Sequence, residues 1–370
     1  MEAEERILKA VKLETPDRIP IVPNTLFFLA RNSGITIEEY LFDNVKANYA
    51  AEKTFNEFGG WDAWYVYPLI DGRQMSLSPV KYKLPGRELP PDEIYQADEQ
   101  ELMKPGDYKT IRTKGYKEFY RELLKRARPE VSDEEFRDIR DTLKRNRSTF
   151  IQRWQAKGVP TINGLFSSMP FDELSYLRSM SEFFEDLFNR EEDVVDALER
   201  ATPAITEVAR RNAKAAGALG IWLSGQRGSG AFVSQAMFEK FVFPYLKKMV
   251  LALTEADILV VLHFEQNWSK NLEYLKEFPS GKCILALDGE TDIFEAKKRI
   301  GRHVCLYGDV PPALLTVGSP DQVKDYCKKL IDIVGDGGGF ILGSGSELPV
   351  NTKPENFEAM LETGRTYGKY

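Results

Sequence analysis

Apolar residues fall along this chain in short continuous runs, separated by longer amphipathic stretches. Eight runs stand out: Ile19–Asn24, Ala63–Pro68, Pro160–Phe166, Gly220–Gly225, Ile258–Phe264, Lys282–Asp288, His303–Gly308 and Gly339–Ser344. They lack the apolar–polar alternation of a half-exposed strand, and so read as strands buried on both faces of a parallel sheet. The stretches between them, such as Met237–Thr254 and Pro320–Val334, carry apolar residues at helical spacing. Eight such alternations predict an α/β fold, a closed (βα)8 TIM barrel. An open doubly wound sheet suits the pattern less, because no glycine-rich turn follows the first run.

One interval breaks the rhythm. From about Leu69 to Gly158 the chain is too long for a single crossover. Ser76–Tyr95 mixes alternating residues with prolines and predicts a hairpin, and Tyr116–Lys157 is a charged helical stretch. The expectation is one barrel domain over residues 1–370, with residues 70–158 inserted between the second and third strands. The insertion reads equally as a lid or partner surface and as a plain helical excursion. A capping box is expected at Thr352–Glu355, before the last helix.

Composition narrows the function. A net charge of −7 argues against nucleic acid, because phosphate contacts need clustered Lys and Arg. The opening MEAEERILKAVK is an amphipathic helix with no apolar signal core, and no run approaches the length of a membrane span. Three cysteines, Cys283, Cys305 and Cys327, form no disulfide framework, which fits a cytoplasmic enzyme.

In a βα barrel, side chains at the carboxyl ends of the strands face the ligand. The fifth run ends in His263-Phe-Glu265, whose side chains point to one face of an extended segment. An imidazole beside a carboxylate can bind a divalent metal or act as an acid–base pair. Asp288 ends the sixth run, as a site carboxylate or an Asx turn, and Asp309 ends the seventh, where it reads as a helix cap. Cys305 reads as core, with a metal thiolate as the other option. The fourth run delivers Trp222, Gln226 and Arg227, the last able to hold an anionic group. Asn24 and Tyr67, with aromatic neighbours, suit a small aromatic or a macrocyclic ligand, and read equally as core packing. Ser346 follows the eighth run among glycines. The Gly337–Gly339 triplet precedes that run and reads as a tight turn on the opposite, stability face. No nucleophile elbow is present.

Several stretches resemble the uroporphyrinogen decarboxylase superfamily: Leu306–Pro320 (LYGDVPPALLTVGSP), Asp336–Leu342 (DGGGFIL), Lys353–Met360 (KPENFEAM), Glu5–Ala10 (ERILKA) with Pro16–Pro20 (PDRIP), and Phe238–Lys248 (FEKFVFPYLKK). The resemblance spans nearly the whole chain and implies a βα barrel with its pocket at the strand carboxyl ends. In the decarboxylase branch an arginine-rich segment follows strand one. Here Pro23–Gly34 carries Arg31 alone, and serines stand where that branch has a histidine after strand eight. In the corrinoid-dependent methyltransferase branch, zinc sits on a His-x-Cys of strand five and a later Cys. His263 matches the first of these ligands, whereas Glu265 and Ser346 occupy the other two positions.

The expectation is therefore a methyltransferase moving a methyl group between a methoxylated aromatic and cobalamin on a corrinoid partner protein, an O-demethylation. His263, Glu265 and Asp288 would be catalytic, and Asn24, Tyr67, Trp222, Gln226, Arg227 and Ser346 would bind substrate. The leaving oxygen would be activated by direct protonation or by zinc on His263, Glu265 and Cys305. The alternatives are a metal-independent lyase on a smaller carboxylate or pyrrole, and a corrinoid- or tetrapyrrole-binding module. A homodimer is a family-level expectation.

Overall fold

The computed structural model describes residues 1–370. Seven strands form one parallel sheet: β1 (Trp64–Val66), β4 (Thr161–Ser168), β5 (Gly220–Gly225), β6 (Leu259–Phe264), β7 (Cys283–Leu287), β8 (Cys305–Val310) and β9 (Phe340–Ser344), adjacent in that order. The two intervening strands, β2 (Lys81–Lys83) and β3 (Gln96–Asp98), form a separate antiparallel hairpin. The chain is a TIM-type α/β barrel, as the periodicity predicts.

The eighth stave is irregular. Ile19–Asn24 is expected as a full strand, but it makes one parallel bridge, Ile21 to Leu342 of β9. Pro20 and Pro23 have no N–H to donate, so a continuous ladder cannot form. Closure still occurs: Val22 N donates to Leu342 O at 2.8 Å, Leu342 N to Pro20 O at 2.9 Å, and Asp62 N to Ile21 O at 2.9 Å. The Asp62 carboxylate completes the seam. It accepts Ile21 N at 2.7 Å, Arg6 Nη1 at 2.8 Å and both Arg18 terminal nitrogens at 2.7 Å. The N-terminal helix, the proline segment and the entry to β1 are thus tied at one buried point.

The strands separate two apolar regions. Inside the barrel lies a small cluster with Val22, Tyr65, Val261, Ile284, Cys305 and Tyr307, and a far larger one fills the layer between strands and helices. Three local expectations are corrected. The Met237–Thr254 helix contains a wide turn over Phe238–Val242 before continuing as Phe243–Glu255, with Pro244 at its junction. The last helix starts at Pro354 without a side-chain cap, and Thr352 Oγ1 is buried with no partner. Asn356 instead ties that helix to the carbonyls of Leu314, Leu315 and Gly318. Asp309 does not cap the helix Pro312–Val317 either, since Pro311 is its N-cap residue and no side chain caps it.

Between β1 and β4 run the β2–β3 hairpin and helices Asp107–Lys114, Tyr116–Ala127 and Asp133–Gln155. The hairpin pairs Lys81 with Asp98, so it closes three residues later than Ser76–Tyr95 suggests. The Gly337–Gly339 turn is as expected: all three residues have positive φ, and a Cβ on Gly338 would meet Glu14 O at 2.7 Å.

Replacing Asp62 by Ala strands Arg18 and the Ile21 N–H at the seam and leaves Arg6 with Asp17 as its one carboxylate. The expected loss is about 3–5 kcal/mol in urea unfolding; a loss below about 1 kcal/mol would place the closure elsewhere.

Candidate active site

Alternation along the strands determines which side chains enter the barrel. Val261 lies in the inner cluster, so His263, two residues on, is also turned inward at the end of β6. His263 is buried and held on three sides. Its Nδ1 lies 2.7 Å from the Tyr65 hydroxyl, its ring lies 4.2 Å from the Trp222 ring, and Nε2 lies 3.7 Å from Glu265 Oε1. Burial holds the Tyr65 hydroxyl protonated far beyond neutral pH, and Nδ1 is its one partner. Tyr65 therefore donates to Nδ1, which leaves the ring proton on Nε2, facing Glu265.

Glu265 is fixed through its backbone and its carboxylate. Its N–H donates to Gly225 O at 3.0 Å, and its carbonyl accepts the Trp268 indole N–H at 2.7 Å. The Gln226 amide donates to Oε2 and accepts from the Tyr176 hydroxyl. Burial pushes the Glu265 carboxyl up, but His263 and Gln226 outweigh it and hold the group below the usual carboxylate range. The Gln226 backbone N–H in turn donates at 2.7 Å to the buried Asp172.

The other candidates disperse. Both oxygens of Asp288 accept backbone N–H groups, from Gln266 at 2.8 Å and Glu290 at 2.9 Å, so the Asx-turn reading describes it. Gln226 is engaged with Glu265 and Tyr176. Arg227 pairs with Glu99 at 3.0 Å, donates to Ser175 and stacks on Tyr176, so its fork is occupied. Asn24 is buried with neither side-chain amide atom partnered, which keeps it a candidate. Trp222 is half-buried beside His263, and its indole N–H has no partner. Tyr67 sits at the rim, edge-on to Phe150 at 5.4 Å. The Ser346 carbonyl accepts the Ser344 hydroxyl.

Cys305 does not join His263. In the β7–β8 register Cys305 pairs with Ile284, whereas Ala286, the partner of His263 across β6–β7, pairs with Tyr307. Cys305 thus lies one layer beneath the imidazole, and burial pushes its thiol far up. A catalytic zinc needs about three protein ligands. No three metal-ligating side chains converge anywhere in the structure, so this donor set does not fit the ion.

Several site residues escape a reading based on strand ends. Tyr65, and Tyr307 stacked on it at 4.5 Å, occupy mid-strand positions; only inward alternation marks them. Glu347, near Glu265, is pushed up to about 7 by burial and by that charge. Phe166 is 61% exposed although it belongs to the barrel strand β4. It pairs in register with Trp222, so its ring is on the inward side.

The family model for uroporphyrinogen decarboxylase (URO-D) matches residues 117–367. The chain belongs to the uroporphyrinogen decarboxylase family. Within it, the chain is 29% identical over 136 residues to the uroporphyrinogen decarboxylase of Hahella chejuensis, 36% of this chain and 37% of that one. It is 26% identical over 211 residues to the methylcobamide:CoM methyltransferase of Methanosarcina acetivorans, 57% of this chain and 59% of the relative. The matches thus span under two thirds of these relatives' lengths. The solved structure of a methyltransferase from Methanosarcina mazei superposes with a TM-score of 0.74 at 19% identity, covering 99% of both chains, which establishes the shared fold. No helix is long and apolar enough to cross a membrane.

Burial pushes Asp172 and Asp309 up to about 7 each, the latter against a 2.8 Å hydrogen bond from Tyr326. A carboxyl raised by folding contributes stability that is complete below its unfolded value of about 4 and lost as pH rises through its folded value. These two groups are therefore expected to lower the thermal midpoint between about pH 4 and pH 7. Asp309→Asn should flatten that fall; an unchanged slope would mean Asp309 is not a source of it.

Proposed function

We propose that this chain transfers a methyl group from a methoxylated aromatic to cobalamin on a corrinoid carrier protein. The corrinoid supplies the electron-rich methyl acceptor, brought by the partner. This chain positions the ring and protonates the oxygen that loses its methyl. As the carbon–oxygen bond breaks, its electron pair stays on oxygen. His263, carrying a second proton from solvent as the imidazolium beside the Glu265 carboxylate, gives its Nε2 proton to that oxygen and returns to neutral imidazole, and a neutral phenol leaves. Tyr65 holds Nδ1, so that Nε2 is the nitrogen that gives the proton, and Gln226 keeps Glu265 facing it.

The observation that carries this reading is an imidazole–carboxylate pair set beside accessible aromatic surface, Trp222 and Phe166, with no thiolate in reach. An oxygen leaving group needs a proton, and a ring substrate needs a flat apolar wall. The methyltransferase relative and the methyltransferase fold support the class. The family's other chemistry is disfavoured by Arg31, the one arginine of Pro23–Gly34, which lies exposed. A porphyrinogen with many carboxylates would lack partners there. The decarboxylase relatives nevertheless favour a second reading, a metal-independent lyase on a smaller carboxylate or pyrrole.

The deciding experiment supplies a reduced corrinoid protein and a panel of methoxylated aromatics, following methylcobalamin by absorbance and phenol by chromatography. Turnover is expected, and His263→Ala or Glu265→Gln should lower it by about 10²–10⁴-fold. No methyl transfer from any aromatic ether, together with carbon dioxide release from a small carboxylate, would establish the lyase instead.

A further inference from the structure

Helix Asp133–Gln155 covers the outside of β1 and climbs toward the barrel mouth. Trp154 and Phe150 pack on Trp64 at 5.0 and 5.5 Å, and Phe150 also reaches Tyr67 at 5.4 Å. Going back along the helix therefore moves up β1 toward its carboxyl end. Arg147 precedes Phe150 by three residues, on the same face and nearly one turn nearer the mouth.

This arginine is half-buried yet makes no hydrogen bond and no ion pair; the titratable group beside it is Tyr67, whose hydroxyl stays protonated, and no carboxylate neutralises it. The Tyr67 hydroxyl also has no partner. Neighbouring arginines differ. Arg227 is neutralised by Glu99, Arg178 by Asp186, and Arg128 is spent on the carbonyls of Met75, Ser78 and Val80. A guanidinium partly withdrawn from water, with its fork free of protein partners, is placed to receive an anionic ligand in exchange for water. In a chain of net charge −7, this unpaired cation at the rim stands out.

We infer that Arg147, assisted by the Tyr67 hydroxyl, binds a carboxylate of the substrate, so that the ligand is an aromatic acid. The inference deepens the methyl-transfer reading and rests on it for the identity of the reacting group. Tyr67 stands two residues above Tyr65, about 6.6 Å along the strand, and Tyr65 touches His263 directly. A benzoate carrying a ring ether would bridge that interval, with its carboxylate at Arg147 and its ether oxygen at Nε2. The open ring of Phe166, on the strand next to β1, lies alongside as a stacking surface. The anion-binding role that Arg227 suggests from sequence passes to a residue on the insertion.

The test is calorimetric titration of the full-length chain with 4-methoxybenzoate and with the neutral, nearly isosteric 4-methoxybenzamide. Wild type should prefer the acid. Arg147→Gln should lose about 10- to 100-fold affinity for the acid and leave the amide unchanged, and Arg147→Lys should restore part of the loss. Thermal melting of both variants reports that they fold. Equal losses for acid and amide, no loss in Arg147→Gln, or no preference for the acid in wild type would each overturn the subsite. The outcomes separate from those of the methyl-transfer reading. Arg147-dependent acid binding without methyl transfer to a corrinoid protein sinks the reaction and keeps the subsite, and turnover of neutral ethers alone does the reverse.

Discussion

Everything at the barrel mouth depends on how the barrel closes. A parallel barrel needs its first and last strands to meet, and here the first is broken by Pro20 and Pro23. Asp62 supplies what the broken ladder cannot: it accepts the Ile21 N–H and neutralises Arg6 and Arg18 at once. A buried carboxylate with this many donors is stable only while all remain in place. The same seam sets Val22, whose carbonyl accepts the Tyr307 hydroxyl at 2.9 Å. Closure is thus transmitted inward to the residues beneath the site.

Those residues form an aromatic column. Tyr307 stacks on Tyr65, Tyr65 bonds to His263, and Trp222 covers the imidazole from the side. Close-packed rings have few alternative arrangements, so the imidazole has one orientation and one proton position. The polar shell works to the same end from the loop after β5. Asp172 grips that loop through the N–H groups of Gln226 and Gly228, and Gln226 grips Glu265. The carboxylate and the imidazole are thereby held by different elements, which suits the acid–base role proposed for them.

The insertion contributes to the mouth rather than merely decorating the outside. Glu99, just past the hairpin, anchors Arg227, and Tyr95 meets Phe27 at 5.8 Å.

The sequence by itself determined the strand–helix alternation, the buried parallel sheet, the glycine turn beneath β9 and the placement of His263 and Glu265 on one face. Each follows from a local rule: continuous apolar runs, positive φ, or the two-residue period of a strand. The same rules flagged Asp288, Arg227 and Cys305, because composition near a strand end cannot say which partners a side chain will meet. Only the tertiary structure spent Asp288 on two backbone N–H groups and Arg227 on Glu99, and put Cys305 a layer below the imidazole. It alone brought Tyr65 to His263, 198 residues away in the chain, and left Arg147 without a partner. Such pairings are long-range: strand register and insertion packing decide them, and no local pattern of residues carries that information.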